Sequence, residues 1–191
     1  MIISFLNYFA EKYLSRLHFI LDLGCGLGTN SAYLSKLHGK EIVALDIDCH
    51  TVRYAQKISN MHSGKKLNFL VADAQRIPSS KNVVDAVLCT EVLEHIHKFD
   101  QVIEDVKRLL KRNSFFIISV PISSLCLLSV DWLEKKIMEK ITLDSYAGHV
   151  HRFNPLEFIA VLQRNKFKAI EEIFWSLLWS LTELYFGKTE D

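Results

Sequence analysis

The sequence predicts an α/β fold built on a doubly wound, mostly parallel sheet. Three observations predict it. Short apolar runs alternate with longer amphipathic stretches along the chain, which is the strand–helix rhythm of such folds. Runs such as Ile42-Val43-Ala44-Leu45 and Ala86-Val87-Leu88 are continuously apolar, as strands covered on both faces are. The first run empties into a glycine-rich turn that opens a helix. With 191 residues there is room for one domain with a full core, and two would be cramped. No repeat, low-complexity tract or Pro/Gly-rich linker divides the chain, so one domain over residues 1–191 is expected.

From the N-terminus onward, Met1–Leu17 does not read as a signal peptide, because Glu11 and Lys12 interrupt it and no apolar core with a small-residue cleavage site comes after it. Strands are predicted at His18–Leu23, Glu41–Asp46, Leu67–Val71, Val84–Cys89, Phe115–Val120 and Ala169–Phe174. The uncharged run Asn113–Val130 approaches the length of a membrane span, but Pro121, its serines and the strand-like Phe115–Val120 favour a buried strand and a loop. After Pro121 the alternation stalls, and Val130, Leu133, Ile137 and Ile141 mark an amphipathic segment, read as a lid inserted at 123–147. Asn154-Pro155-Leu156-Glu157 starts a helix running to about Gln163, with Asn as cap and Pro at the first helical position. Trp175–Phe186 reads as a closing strand, a docking helix or an exposed apolar patch.

Composition excludes several classes. The 23 basic and 22 acidic side chains leave a net charge of +1, far from the excess that nucleic-acid binders use, so nucleic acid is set aside. Lys107–Arg112 reads as the solvated end of a helix. Cys25, Cys49, Cys89 and Cys126 form no C-x-x-C pair, so the chain reads as cytoplasmic, without a disulfide framework or zinc knuckle.

The glycine turn is the decisive segment. In His18–Asn30 a strand runs into Gly24-Cys25-Gly26-Leu27-Gly28 and then a helix, a turn whose bare backbone lets a ligand approach. A dinucleotide turn would need its third glycine at position 29, where Thr29 stands, and no Gly-Lys-Ser/Thr comes after the turn to make a phosphate loop.

Leu21-Asp22-Leu23-Gly24-Cys25-Gly26-Leu27-Gly28 resembles the first motif of the class I S-adenosylmethionine (SAM)-dependent methyltransferases, in the small-molecule type related to quinone-biosynthesis enzymes. Later motifs arrive in the family's order. Glu41–Ile47 ends a strand at Asp46, and Phe69–Ala74 with Ile77-Pro78 contains Asp73. Val84–Ile96 resembles the family's fourth-strand motif, and Arg108–Ile117 resembles its next helix and strand. The resemblance covers about residues 18–167. It implies a Rossmann-like fold, SAM as cofactor and S-adenosylhomocysteine as product. By the same resemblance the cofactor site is Asp22, Gly24, Cys25, Gly26, Gly28, Asp46, Ile47, Asp73, Ala74 and Cys89. Asp46 would hold the ribose, Asp73 the adenine amino group, and Asp22 either the methionine amino group or the glycine loop. Cys25 is expected to line the site without reacting, since nothing marks it as an activated thiol.

Methyl transfer is an in-line displacement that needs positioning more than dedicated catalytic groups. A general base would come from Gly148–Phe153, whose His149 and His151 resemble the family's histidines over the substrate pocket; capping or orienting the lid is their other reading. His95 is expected at the cofactor rim or in a structural role. The pairs His95/His97 and His149/His151 lack a carboxylate or cysteine set at familiar spacing, so no metal is expected. The family's seventh strand reads as absent or reshaped after Phe174. The aromatics there, with Leu125, Leu127, Leu128 and Trp132, point to an apolar small-molecule acceptor, a peripheral membrane contact or a homodimer. A SAM-binding regulatory or scaffold protein without transfer activity is the competing reading, and an NAD-dependent oxidoreductase the third.

Overall fold

The computed structural model describes residues 2–13, 17–62, 66–77, 80–122, 148–151, 153–177 and 180–189. The lid expected at 123–147 lies outside the described residues. Five parallel strands, β1 (Phe19–Leu23), β2 (Glu41–Asp46), β3 (Leu67–Val71), β4 (Val84–Thr90) and β5 (Leu110–Ile122), pair in the order 3-2-1-4-5. Two more strands, β6 (Phe167–Leu177) and β7 (Ser180–Thr189), complete a sheet ordered β3-β2-β1-β4-β5-β7-β6. The seventh strand is therefore present. It lies antiparallel between β5 and β6, with Ile118 opposite Tyr185 and Trp175 opposite Thr182.

The helices are α1 (Ile2–Tyr13), α2 (Thr29–His38), α3 (Cys49–His62), α4 (Phe99–Leu109) and α5 (Pro155–Arg164), with a 3-10 turn at Leu93–His95. Among the described residues no helix is long and apolar enough to cross a membrane. Alternate side chains of the strands feed two cores, as the two-residue period requires. Ile20, Ile42, Ala86, Leu88 and Ile117 meet Leu6 and Phe9 of α1 and Leu34 of α2. Leu21, Leu23, Leu45, Val87, Cys89, Phe116 and Ile118 meet α4 through Val102, Ile103, Val106 and Leu109, and α5 through Phe158 and Leu162.

Local chemistry sets several boundaries. Asn154 caps α5, its side-chain oxygen accepting from Leu156 N (3.0 Å) and Glu157 N (3.4 Å), with Pro155 first in the helix. The basic run splits between two elements: α4 stops at Leu109 and Lys111 lies on β5, where its ammonium meets Asp85 at 2.7 Å. Asp85 also accepts from the backbone N–H groups of His18 and Phe19, both at 2.9 Å, tying the start of β1 to β4.

Gly28 stands at the N-terminus of α2 with φ +71°, and a methyl group there would lie 2.6 Å from the Phe69 ring. Gly28→Ala combines left-handed strain with overpacking against β3. The expected cost is about 2–4 kcal/mol, read as a lowered midpoint in denaturant unfolding. A midpoint equal to wild type would show that the loop relaxes freely.

Candidate functional site

In an open parallel sheet, ligands bind beyond the strands' carboxyl ends where the strand order reverses, here around β1 between β2 and β4. A cavity of about 450 Å³ lies there, within the range of small-ligand sites. Each strand delivers its share: Gly24 and Gly26 follow β1, Asp46 and Ile47 close β2, Ala72 to Gln75 follow β3, and Glu91, Val92, His95 and Ile96 follow β4.

The glycine turn is held from β2. Cys25 N donates to Leu45 O at 2.9 Å, and Gly26 N donates to the Asp46 carboxylate at 2.9 Å. Gly24 (φ +66°) and Gly26 (φ +51°) both occupy the left-handed region. A methyl on Gly24 would clash with Val92, whereas one on Gly26 would meet nothing within 4 Å among the described residues. The other Asp46 oxygen accepts from Asp48 N at 3.0 Å. Asp73 fixes its own loop by accepting from Gln75 N at 2.9 Å.

Asp22 sits behind the loop on β1, 2% exposed. One carboxylate oxygen accepts from the Ser31 hydroxyl on α2 at 2.5 Å, while the other, buried, has no partner among the described residues. Burial pushes the Asp22 carboxyl up to about 7; the Ser31 hydrogen bond opposes this and the Asp46 charge adds to it.

Of the residues the sequence marked for the cofactor, the structure gathers Gly24, Gly26, Asp46, Ile47, Asp73 and Ala74 around this cavity. Asp22, Cys25, Gly28 and Cys89 are not on its wall. Gly28 turns its α-carbon toward Phe69 and Ala55. Cys89 is completely buried in the core beneath the site, and burial raises its thiol well above the ordinary value. Burial, with the Asp22 and Asp46 charges, pushes the Cys25 thiol up to about 12, so neither is a nucleophile at neutral pH.

The histidines divide. His95 lines the cavity, while His149 and His151 do not. The His151 imidazole donates from Nε2 to His97 O at 3.1 Å and stands edge-on to Phe99, ring centroids 5.0 Å apart. It thereby staples segment 148–151 to the end of the fourth-strand region. Glu94 O accepts from Val150 N (2.7 Å) and His151 N (3.1 Å) across the same junction.

Sequence reasoning assigns no role to Glu91 and Glu94, although both belong to the fourth-strand motif. Glu91 (φ 55°) is held by Ser119 of β5, whose hydroxyl donates to its carboxylate at 2.7 Å. Burial raises the Glu91 carboxyl, against the Ser119 hydrogen bond and the neighbouring His149 and His95. Burial likewise pushes the Glu94 carboxyl up to about 8, opposed by its own backbone N–H and reinforced by the Glu91 charge. The histidine pairs have no carboxylate set at familiar spacing in sequence, while in the fold potential ligand atoms of Glu94, His95 and His149 all lie within 4.8 Å of one another.

Comparison with known proteins places this geometry. A family model described as a methyltransferase domain matches residues 21–118. The ubiquinone biosynthesis O-methyltransferase of Rickettsia prowazekii (strain Madrid E) is 36% identical over 105 residues, 52% of this chain and 38% of that protein. The ribosomal protein L11 methyltransferase of Thermotoga petrophila is 30% identical over 112 residues, 59% of this chain and 40% of that protein. The chain thus spans less than half the length of these relatives. Among solved structures, the magnesium protoporphyrin IX methyltransferase of Synechocystis PCC 6803 with bound SAH superposes with a TM-score of 0.78. It is 21% identical, with 98% of this chain and 81% of that chain covered, a likeness of fold.

Proposed function

This chain belongs to the methyltransferase-domain family, and from that membership we propose that it is a SAM-dependent methyltransferase acting on a small, apolar acceptor. The observation that carries the reading is the buried Asp22 carboxylate oxygen without a partner among the described residues, set behind a glycine turn that opens onto a cavity with an acid at the end of β2 and another after β3. Such a carboxyl either keeps its proton or, when ionised, calls for a cation or donor to reach it. The amino group of a bound amino-acid moiety is such a partner, and Asp46 offers a carboxylate to ribose hydroxyls. The residues therefore fit the cofactor.

When bound, SAM supplies an electrophilic methyl group on a sulfonium. The chain's own contribution is placement. Gly24 and Gly26 let the backbone approach without side chains, Asp46 and Asp73 orient the nucleoside, and Ile47, 70% exposed, offers an apolar face at the rim. Glu91 and His95, which line the cavity after β4, would border an approaching acceptor. Holding nucleophile and methyl at attack distance while excluding water is worth several kcal/mol of barrier. The small acceptor rests on the rickettsial relative, whose name states O-methylation in ubiquinone biosynthesis. Its apolar character rests on the Leu- and Trp-rich segments of the sequence.

Calorimetric titration with SAM, S-adenosylhomocysteine and NAD tests the cofactor. Micromolar binding of the two sulfur nucleosides and none of NAD is expected. Binding of NAD alone would reverse the reading.

A further inference from the structure

We propose that the outer edge of β3 pairs with the β3 edge of a second copy of this chain, antiparallel across a two-fold axis at Phe69. β3 ends the sheet on one side and β6 on the other. An uncovered edge is a row of unpaired N–H and C=O groups, which proteins blunt with charges, prolines or bulges. β6 is blunted in this way: it carries Lys168, Glu171 and Glu172, and its register shifts between Ala169 and Glu172. β3 is not. Leu67-Asn68-Phe69-Leu70-Val71 holds no charge, proline or glycine, and its pairing with β2 runs without a shift. Leu70 and Val71 are 46% and 48% exposed.

The backbone fixes which groups are free. Lys66 O accepts from Ile42 N at 2.8 Å, and Ala72 N donates to Asp46 O at 3.0 Å. Alternate residues of a parallel strand bond to the same neighbour, so Asn68 and Leu70 also turn toward β2. Leu67, Phe69 and Val71 therefore point their N–H and C=O groups outward, and among the described residues no strand lies beyond them.

That pattern is self-complementary. With Phe69 opposite its own copy, Leu67 faces Val71 of the second copy, and every outward N–H meets an outward C=O. A shift by one residue would set outward groups against inward ones, and a shift by two would leave some unpaired. The side chains agree, since Leu67 and Val71 are apolar partners across the two strands. Charge sets the direction. Lys65-Lys66 precedes the strand and Asp73 follows it, so antiparallel pairing brings the basic end of one copy to the acidic end of the other, whereas parallel pairing would set like against like. A second copy supplies all of these matches at once.

Two short strands bury little area, so the dimer is weak, expected to be half formed at about 10–100 µM. Sedimentation velocity on the whole untagged chain, loaded from about 2 to 500 µM, reads it. Val71→Pro removes one outward N–H from each copy while leaving the bonds to β2 in place, and should weaken association by about tenfold or more. Val71→Lys, which puts a charge on the edge, should do the same. Circular dichroism checks that each variant folds; if Val71→Pro does not, Val71→Lys decides. In the wild type, amide hydrogen exchange at Leu67, Phe69 and Val71 should slow as concentration rises. A wild type that stays monomeric throughout leaves the edge to some other chain and overturns the proposal, as does a dimer that the folded variants leave intact.

Discussion

Asp46→Ala is expected to weaken S-adenosylhomocysteine binding at least a hundredfold while the protein remains folded. The carboxylate accepts from Gly26 N and Asp48 N and has lone pairs left for ribose hydroxyls. Hydrogen bonds to a charged acceptor contribute about 1.5–3 kcal/mol each, so losing two costs about 3 kcal/mol or more, and 1.4 kcal/mol is tenfold. The substitution also frees the glycine turn from β2, which slackens the site before any ligand arrives. Asp46→Asn keeps one acceptor and should lose roughly tenfold. Calorimetry on the three proteins reads both effects. An Asp46→Ala variant that binds as well as wild type would place the nucleoside elsewhere.

The second large effect is on pH dependence. Asp22 has its carboxyl raised from 3.8 to about 7 by burial, with Asp46 adding and Ser31 opposing. In the folded chain it holds its proton more tightly than in the unfolded one. Its contribution to stability is therefore fully present below about pH 4 and is lost as pH rises through about 7. The loss is on the order of 4 kcal/mol in the ligand-free protein by about pH 9. Asp22→Asn keeps the shape and cannot ionise, so its melting temperature should exceed that of wild type at about pH 8, and the difference should shrink steadily as pH falls toward about 4. S-Adenosylhomocysteine, whose ammonium would pair with the ionised Asp22, should bind wild type more tightly at about pH 8 than at about pH 6, and the variant equally at both. Parallel melting curves for the two proteins across this range would refute the assignment.

The parallel half of the sheet was legible because its strands are covered on both faces, and continuous apolar runs such as Ile42–Leu45 can be little else. The helix at Asn154-Pro155 was legible because its cap is local. Helix α1 was not: Leu6 and Phe9 gain their place only by packing on Ile20, Ile117 and other residues distant in sequence. The final hairpin stayed open between a closing strand, a docking helix and an exposed patch for a different reason. Leu177 pairs with Ser180, and no Asn-Gly or Asp-Gly dipeptide stands in that stretch of sequence to announce a hairpin. Asp46 and Asp73 could be placed from strand ends, whereas the burial of Asp22 and Cys89 depends on which face of the sheet each occupies. The meeting of Glu94 with His149 joins segments 55 positions apart, and no spacing rule within either segment reveals it.

The place of β7 in the sheet has a consequence for synthesis on the ribosome. β6 is translated before β7 yet can join the sheet only through it, since β7 lies between β5 and β6. Until residues 180–189 emerge, the nascent chain therefore presents β5 as a bare edge along Phe115–Ile122, rich in Phe, Ile and Val. Such an edge invites pairing with another chain. The interval before β7 emerges is thus the one in which the β5 edge is open to pairing with another chain.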